Sequence, residues 1–166
     1  MKLYGLGFQN RKHTKAPPDL AIYDDSLIVE FDAKHITTQQ FKTLLGEAIP
    51  AFVEAMHPYR IVLDESTIGT EDARITLPDG ASVPRPDFLD PRVGVNRIWP
   101  VNYWDRELSL RSFGLVPEEV VQRLTAHVAE ARILNDGALI IDSCEIPTIE
   151  SIRLIDARLR AHLLAK

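Results

Sequence analysis

The sequence predicts a single α+β domain over residues 1–166, with a mixed, mainly antiparallel sheet and about three helices packed on it. Two observations predict this class. Apolar segments of strand length and amphipathic segments of helical period follow one another in the order β-β-α-β-(β)-β-α-β-α, which favours helices packed on a mainly antiparallel sheet. The length of 166 residues and the 45% hydrophobic content match one ordinary globular domain.

The N-terminal part of the chain predicts strands separated by polar turns. Residues 2–8 form a first apolar segment of strand length, and the polar, Pro-rich residues 9–19 predict a loop. Residues 21–23 and 27–31 predict either a second pair of strands or one interrupted strand, because Asp and Ser residues between them favour a turn.

The clearest helix signal follows these strands. Thr37 and Gln40 form a capping box, which marks a helix N-terminus. The apolar residues that follow recur at helical spacing as one stripe: Phe41, Leu44, Leu45, Ala48, Ile49, Phe52, Val53 and Met56. Pro50 interrupts the stripe and predicts a kink, since proline lacks an N–H and clashes with the carbonyl of Gly46.

A long acidic, Pro-rich loop is predicted over residues 64–94. Residues 59–63 before it read as a buried strand, and four prolines are spaced through the loop itself. Within it, residues 74–77 and 81–83 are expected to pair as a small hairpin across a Pro-Asp-Gly turn. A loop of this length in a compact domain is more often functional than idle.

An aromatic strand is predicted over residues 95–104. Pro100 places it at an edge or a bulge, because proline cannot donate to a strand ladder, and residues 108–113 are expected to pair back onto it. Strand alternation divides its side chains into two sets, one of Trp99, Val101 and Tyr103 and the other of Pro100, Asn102 and Trp104. Either a large aromatic is exposed as an interface anchor, or helices cover both faces.

The C-terminal part predicts helix, strand and helix. Pro117 opens a helix at its favoured first position, and the apolar face of that helix extends to Ala131 before residues 135–137 end it. Residues 138–141 form a short, fully apolar strand. A last helix is expected to begin near Thr148 and to bury a spaced apolar set: Ile149, Ile152, Ile155, Leu159 and Leu163.

Composition excludes several classes of protein. Cys144 is the single cysteine, which rules out an internal disulfide framework and a multi-cysteine zinc site and fits a reducing compartment. The N-terminus does not resemble a signal peptide, and no apolar run approaches the ~20 residues that span a bilayer. We therefore expect a cytoplasmic protein without a membrane partner.

Charge indicates the kind of partner. The chain carries a net charge of −5, and the excess of acidic residues lies in its middle and C-terminal parts. Nucleic acid is disfavoured as a partner because phosphate binding needs clustered Lys and Arg. A negative surface suits attraction to a basic protein surface instead.

One short pattern resembles Mg²⁺-dependent nucleases. Asp19 follows a proline, and Asp32 and Lys34 follow an apolar run, as in the loose arrangement in which two carboxylates hold the metal and a lysine assists the water. The pattern is degenerate, and alternating charges are also typical of a half-buried strand. A small Mg²⁺-dependent nuclease or hydrolase that uses Asp19, Asp32 and Lys34 is the alternative function.

The candidate partner-binding residues lie in the acidic loop and the aromatic strand. The loop is expected to act as an anionic segment that enters a basic cleft, although a solvated surface loop has the same composition. The candidates are Asp64, Glu65, Glu71, Asp72, Asp79, Asp87, Asp90, Trp99, Tyr103 and Trp104. The five histidines lack ligand spacing, and Gly5-Leu6-Gly7 is too short for a nucleotide-binding loop, so no catalytic residue, metal or cofactor is predicted.

The chain resembles the small, acidic bacterial immunity proteins that neutralise polymorphic or secreted toxins. The segment Ile98-Trp99-Pro100-Val101-Asn102-Tyr103-Trp104-Asp105, followed by the helix from Pro117, carries this resemblance. It implies a protein that occludes the active site of a cognate toxin, with acidic side chains matching a basic cleft or replacing substrate phosphates. A structural subunit of a phage or secretion assembly is a further alternative, which stable self-association would reveal.

Overall fold

The computed structural model describes residues 3–10, 25–87, 90, 92 and 94–165. Its strands are β1 Leu3–Asn10, β2 Asp25–Asp32, β3 Arg60–Glu65, β4 Arg74–Thr76, β5 Ser82–Pro84, β6 Val101–Trp104, β7 Glu130–Leu134 and β8 Gly137–Ile141. Six of them form one sheet in the order β2-β1-β3-β6-β8-β7, and β4 pairs with β5 in a separate hairpin. Every pair of neighbouring strands is antiparallel.

Helices follow or connect most of these strands. They are α1 Thr38–Thr43, α2 Ile49–Met56, α3 Ser66–Ala73, α4 Arg106–Phe113, α5 Pro117–Leu124 and α6 Ile149–Leu164, and a π-helical segment, Leu44–Ala48, joins α1 to α2. The α+β class is confirmed. The expected number of about three helices is too low, because α3 and α4 form where the sequence predicts a loop and a strand.

The sheet separates two apolar cores. On one face, Phe41, Leu45, Ile49 and Val53 from the α1–α2 helix pack against Tyr4, Leu6 and Phe8 of β1 and their neighbours. On the other face, α4, α5 and α6 cover β6 and β8 with a second set: Leu108, Phe113, Val120, Leu124, Ile155, Leu159 and Leu163. Since both faces of β6 and β8 are covered, every residue of these two strands is buried.

The helix that the sequence predicts after Thr37 is present, with the predicted capping box at its N-terminus and its apolar stripe in the core. The side chain of Thr37 accepts a hydrogen bond from the Gln40 N–H at 3.2 Å, and the Gln40 side chain accepts one from the Thr37 N–H at 2.8 Å. The sequence predicts a kink at Pro50. The structure has a π-helical segment directly before this proline, in which the Ile49 N–H donates to the Leu44 carbonyl. A wider turn before the proline accommodates its missing donor.

The segment predicted as one long loop is largely structured. Asp64 and Glu65 belong to β3, and α3 follows directly. The predicted hairpin is confirmed, with Ile75 opposite Val83. The sequence conceals α3 because its eight residues, STIGTEDA, bury only Ile68, so no apolar stripe marks the helix.

The predictions for β6 and its continuation need correction. β6 is central in the sheet, between β3 and β8, and Pro100 lies just before the strand, where its missing N–H removes no ladder bond. Residues 108–113 form α4 instead of pairing back as a strand. The Asp105 side chain caps this helix by accepting from the Leu108 N–H at 2.7 Å, and Gly114, at φ 67°, ends it.

The helix from Pro117 is shorter than its apolar face suggests. It ends at Leu124, and the following apolar residues form β7, which pairs with β8 across Asn135 and Asp136. Asn135 has φ 52°, a left-handed conformation that a two-residue hairpin turn requires. Residues 135–137, which the sequence predicts to end a helix, therefore lie at the turn of the β7–β8 hairpin. No helix in the described ranges is long and apolar enough to cross a membrane.

Candidate functional site

Within the described ranges, no element covers one face of β2, β1 and β3, and this face forms the floor of an open groove of about 880 Å³. On β1, the large side chains point into the core behind the sheet, whereas Gly5 and Gly7 present bare backbone to the groove. A Cβ on Gly7 would meet only the Val62 side chain, at 3.9 Å. The space above this part of the floor therefore belongs to the groove.

In the rest of the floor, polar and apolar side chains alternate along each strand. It is completed by the groove-facing side chains of the two strands beside β1: Ile28, Glu30, Arg60, Val62 and Asp64. The alternating burial of β3 explains their direction, because Ile61, Leu63 and Glu65 are buried on the opposite side of the strand. Ile28 is 64% exposed, so the groove contains one large accessible apolar side chain.

Three segments wall the groove. The first is the face of α3 that carries small residues: Ser66, Gly69, Thr70 and Ala73. The second is the base of the β4–β5 hairpin, with Arg74, Pro84 and Arg85, and the third is the segment 96–99 before β6. The small residues on α3 keep this wall from filling the groove.

A paired arginine and aspartate join two of these walls. Arg97 donates through Nη2 to Asp72 Oδ1 at 2.8 Å and through Nε to Asp72 Oδ2, which makes the pair bidentate. Hydrogen bonding to Asp72 raises the pKa of Arg97 above its ordinary value. The Arg97 guanidinium also lies 5.6 Å from the centre of the Trp99 ring. Asp72 of α3 is thereby tied to the segment before β6.

Helix α6 fixes the same segment from behind. Asp156 Oδ1 accepts from the Ile98 N–H at 2.8 Å, and Arg160 donates to the carbonyls of Val95 and Asn96, each at 3.2 Å. Arg160 and Asp156 also pair with each other at 2.7 Å. The backbone of this groove wall is thus held by side chains from the last helix of the fold.

Arg60 and Asp64 are the two ionisable groups of the β3 floor. Part of the Arg60 side chain reaches the groove, yet its Nε is buried and has no hydrogen-bond partner in the described part of the chain. Burial lowers the pKa of Arg60, with the Asp64 charge acting against it. Burial likewise raises the pKa of Asp64, opposed first by the charge of Arg60 and then by backbone hydrogen bonding at Gly5.

The predicted acidic residues do not form one anionic surface. Glu65 is buried and caps α3, Glu71 pairs with Arg153 at 2.8 Å, and Asp90 accepts from the Arg92 N–H. Of the rest, Asp64 and Asp72 line the groove. Asp79 is exposed in the hairpin turn, and Asp87 is 78% exposed with Arg85 at 3.9 Å.

The predicted aromatic anchors are buried. Trp99, Tyr103 and Trp104 are between 0 and 5% exposed, with Trp99 and Tyr103 in one core and Trp104 in the other. Of the two alternatives for this strand, the structure supports the one in which helices cover both faces, and Trp99, Tyr103 and Trp104 are not exposed anchors. Tyr103 and Trp104 contribute to packing, while Trp99 backs the groove wall under Arg97.

The nuclease-like residues are not gathered into a site by the described residues. Asp19 lies outside them. Asp32 accepts from the backbone N–H of Lys34 at 3.0 Å, so it stabilises the turn that follows β2, where Lys34 is exposed. Within the described ranges, no group of three His, Cys, Asp or Glu residues is placed to hold a metal ion.

Of the groove floor, sequence reasoning identified Asp64 and missed the other residues. Gly5 and Gly7 are two residues apart on a strand, a spacing that leaves one strand face without side chains. Arg60 is predicted in a buried strand, and an arginine alternating with apolar residues there was the available signal for a charged sheet face. Neither signal alone identifies a groove, because its walls come from distant segments.

Comparison with known proteins does not assign the chain to a family. No family model, no curated protein and no solved structure matches the chain.

Proposed function

We propose that this chain is a binding protein that neutralises a cognate toxin or effector, and that the partner docks a projecting segment in the groove over β2, β1 and β3. The observation that carries the proposal is the uncovered half of the sheet face. Its backbone floor at Gly5 and Gly7, its accessible Ile28 and its charged margins suit an extended protein segment.

The resemblance to immunity proteins suggests the class of partner. The accessible carboxylates Asp79 and Asp87 lie on or beside the β4–β5 hairpin, whose base forms one groove wall. They are placed to face a basic surface around the docked segment, and such complementarity increases the association rate. The groove would thus hold the projecting segment of the partner, while the hairpin covers the basic cleft of the partner.

Gly7→Val tests the groove with little risk to the fold. Valine favours strands, and a Cβ at this position meets no atom of the described residues closer than 3.9 Å, so the domain should fold as before. Its side chain would occupy the floor. We expect tagged wild-type protein to capture a stoichiometric partner from the lysate of the source organism, and the variant to lose at least tenfold in affinity for it.

The matched control is Gly46→Ala, which adds a methyl group in open space on the π-helical segment, outside the groove. Support requires that the partner is toxic when expressed alone, harmless with wild-type protein, and toxic again beside Gly7→Val. A partner that binds Gly7→Val and wild type equally would refute docking in the groove. A captured partner without toxicity would refute the toxin-neutralising role.

A further inference from the structure

We infer that the groove contains a subsite for a side-chain carboxylate of the docked segment, and that Arg60 is the residue that recognises it. This inference rests on the proposed use of the groove as the binding surface. It adds the chemistry of the partner, which must present an Asp or Glu side chain to the β3 floor.

The first argument is that hydrogen bonds and neighbouring charges compensate the partly buried guanidinium of Arg60 incompletely. Its Nε is buried without an acceptor among the described residues, and the charge of Asp64 acts on its guanidinium. Buried guanidinium groups are normally paired and fully hydrogen-bonded, because an unpaired buried charge is costly. An anion bound to the part of the guanidinium that reaches the groove would therefore compensate this charge without contacting Nε.

The second argument concerns the other arginines of the groove. Arg97 is engaged by Asp72, and Arg74 donates to the side chain and backbone of Ser82. Arg85 lies on the exposed hairpin margin beside Asp87. Arg60 is thus the one arginine that the described residues place on the β-sheet floor, where it lies opposite Gln9 and diagonal to the bare backbone of Gly7.

The third argument selects a carboxylate over a phosphate. Of the residues that the structure describes, four arginines and three carboxylates line the groove, an excess of one positive charge: Arg60, Arg74, Arg85 and Arg97 against Glu30, Asp64 and Asp72. A monoanion matches this balance better than a dianion. The planar guanidinium is also suited to two parallel hydrogen bonds with a carboxylate.

Asp64 provides an internal competitor for the same arginine. When it is ionised, it repels an incoming carboxylate and offsets part of the Arg60 charge. Asp64→Asn should therefore strengthen carboxylate binding, whereas Arg60→Lys, which keeps the charge but loses the planar fork, should weaken it. Opposite effects from two neighbouring substitutions would be difficult to explain by unfolding.

The test is an NMR titration of the isolated protein with sodium acetate at constant ionic strength, with sodium chloride and sodium phosphate as separate arms. The signals to follow are the Arg60 Nε–H and the backbone N–H of Gly7. We expect acetate to produce a saturable shift at both, with an affinity in the millimolar range that is ordinary for so small a ligand. Asp64→Asn should bind about fivefold tighter and Arg60→Lys about tenfold weaker.

Three results would overturn the subsite. They are no saturable shift up to about 100 mM acetate, an acetate response unchanged by Arg60→Lys, and tighter binding of phosphate than of acetate. The titration needs no partner, so its outcome is independent of the capture experiment. Partner binding that Gly7→Val abolishes, without an acetate response, would leave the docking groove in place and remove only the carboxylate subsite.

Discussion

Asp64 shows how the environment of one residue sets the sign of a pH effect. Burial on the groove floor disfavours its ionised form and raises its pKa, despite the neighbouring Arg60. An acid whose pKa is higher in the folded state binds its proton more readily there than in the unfolded chain. The stability associated with this carboxyl is therefore fully present below the ordinary Asp value of about 3.9 and is lost as pH rises through the folded-state pKa.

We accordingly expect the wild type to lose stability relative to Asp64→Asn as the pH is raised from about 4 to 7. The comparison isolates Asp64 because all other titrating groups are common to the two proteins. Urea unfolding at several pH values measures the difference in the free energy of unfolding. If that difference instead moved in favour of the wild type with rising pH, the pKa of Asp64 would be lowered by its surroundings, not raised.

At the scale of elements, α3 depends on an unusual N-terminal cap. The buried carboxylate of Glu65 accepts from the backbone N–H groups of Thr67 and Ile68, both at 3.0 Å, and from the Thr67 hydroxyl at 3.1 Å. Only Ile68 anchors the helix in the core. Since α3 contributes so little apolar burial, its position as a groove wall rests on this cap and on the Asp72–Arg97 pair.

Glu65→Ala should destabilise the domain by about 2 kcal/mol, at the upper end of the range for N-cap losses, because the N–H of Ile68 is left buried without its acceptor. Glu71→Ala on the same helix is the matched control. Its carboxylate forms an exposed pair with Arg153, so we expect a loss below about 0.5 kcal/mol. Equal losses for the two variants, measured by urea unfolding, would contradict the capping role of Glu65.

The elements that the sequence predicts well are those with local signals. The Thr37 capping box, the helix start at Pro117 and the stripe of α6 each lie within a few turns of chain, and each is confirmed. The failures are non-local. Nothing near Leu108 reveals that Asp105 will cap a helix instead of ending a hairpin, and nothing near residue 97 reveals its pairing with Asp72. The candidate site is assembled from such long-range contacts, which explains why acidic composition identified Asp64 and Asp72 but not the glycines and Arg60 of its floor.

At the scale of the whole molecule, the sheet is covered unevenly. In the part of the chain that the structure describes, β6 and β8 are buried on both faces, β3 and β1 are covered on one face, and β4 and β5 pair with each other in a separate hairpin. Local opening is easiest where few apolar contacts must break. The groove therefore lies over the strands that have fewer apolar contacts. The most buried strands of the same sheet are β6 and β8.

Amide hydrogen exchange should reveal this gradient. We expect the amides of β6 and β8 to exchange only through global unfolding, and those of the β4–β5 hairpin to exchange at least a hundredfold faster, a difference of about 3 kcal/mol. Mass-spectrometric exchange on peptides that separate the two regions measures the ratio. Protection of the hairpin equal to that of β8 would show that the groove wall unfolds only with the whole domain.

The contacts of Asp156 and Arg160 with residues 95–98 have a consequence for the order of synthesis. The strands of the groove floor lie in the first 65 residues of the chain, but the wall at residues 95–98 is fixed by side chains about sixty positions further on. A nascent chain that has emerged as far as β8 holds the floor and the Asp72–Arg97 pair, but it lacks the α6 side chains that fix the backbone of residues 95–98. If the groove is the docking surface proposed above, its wall at residues 95–98 reaches its final geometry only when α6 has left the ribosome.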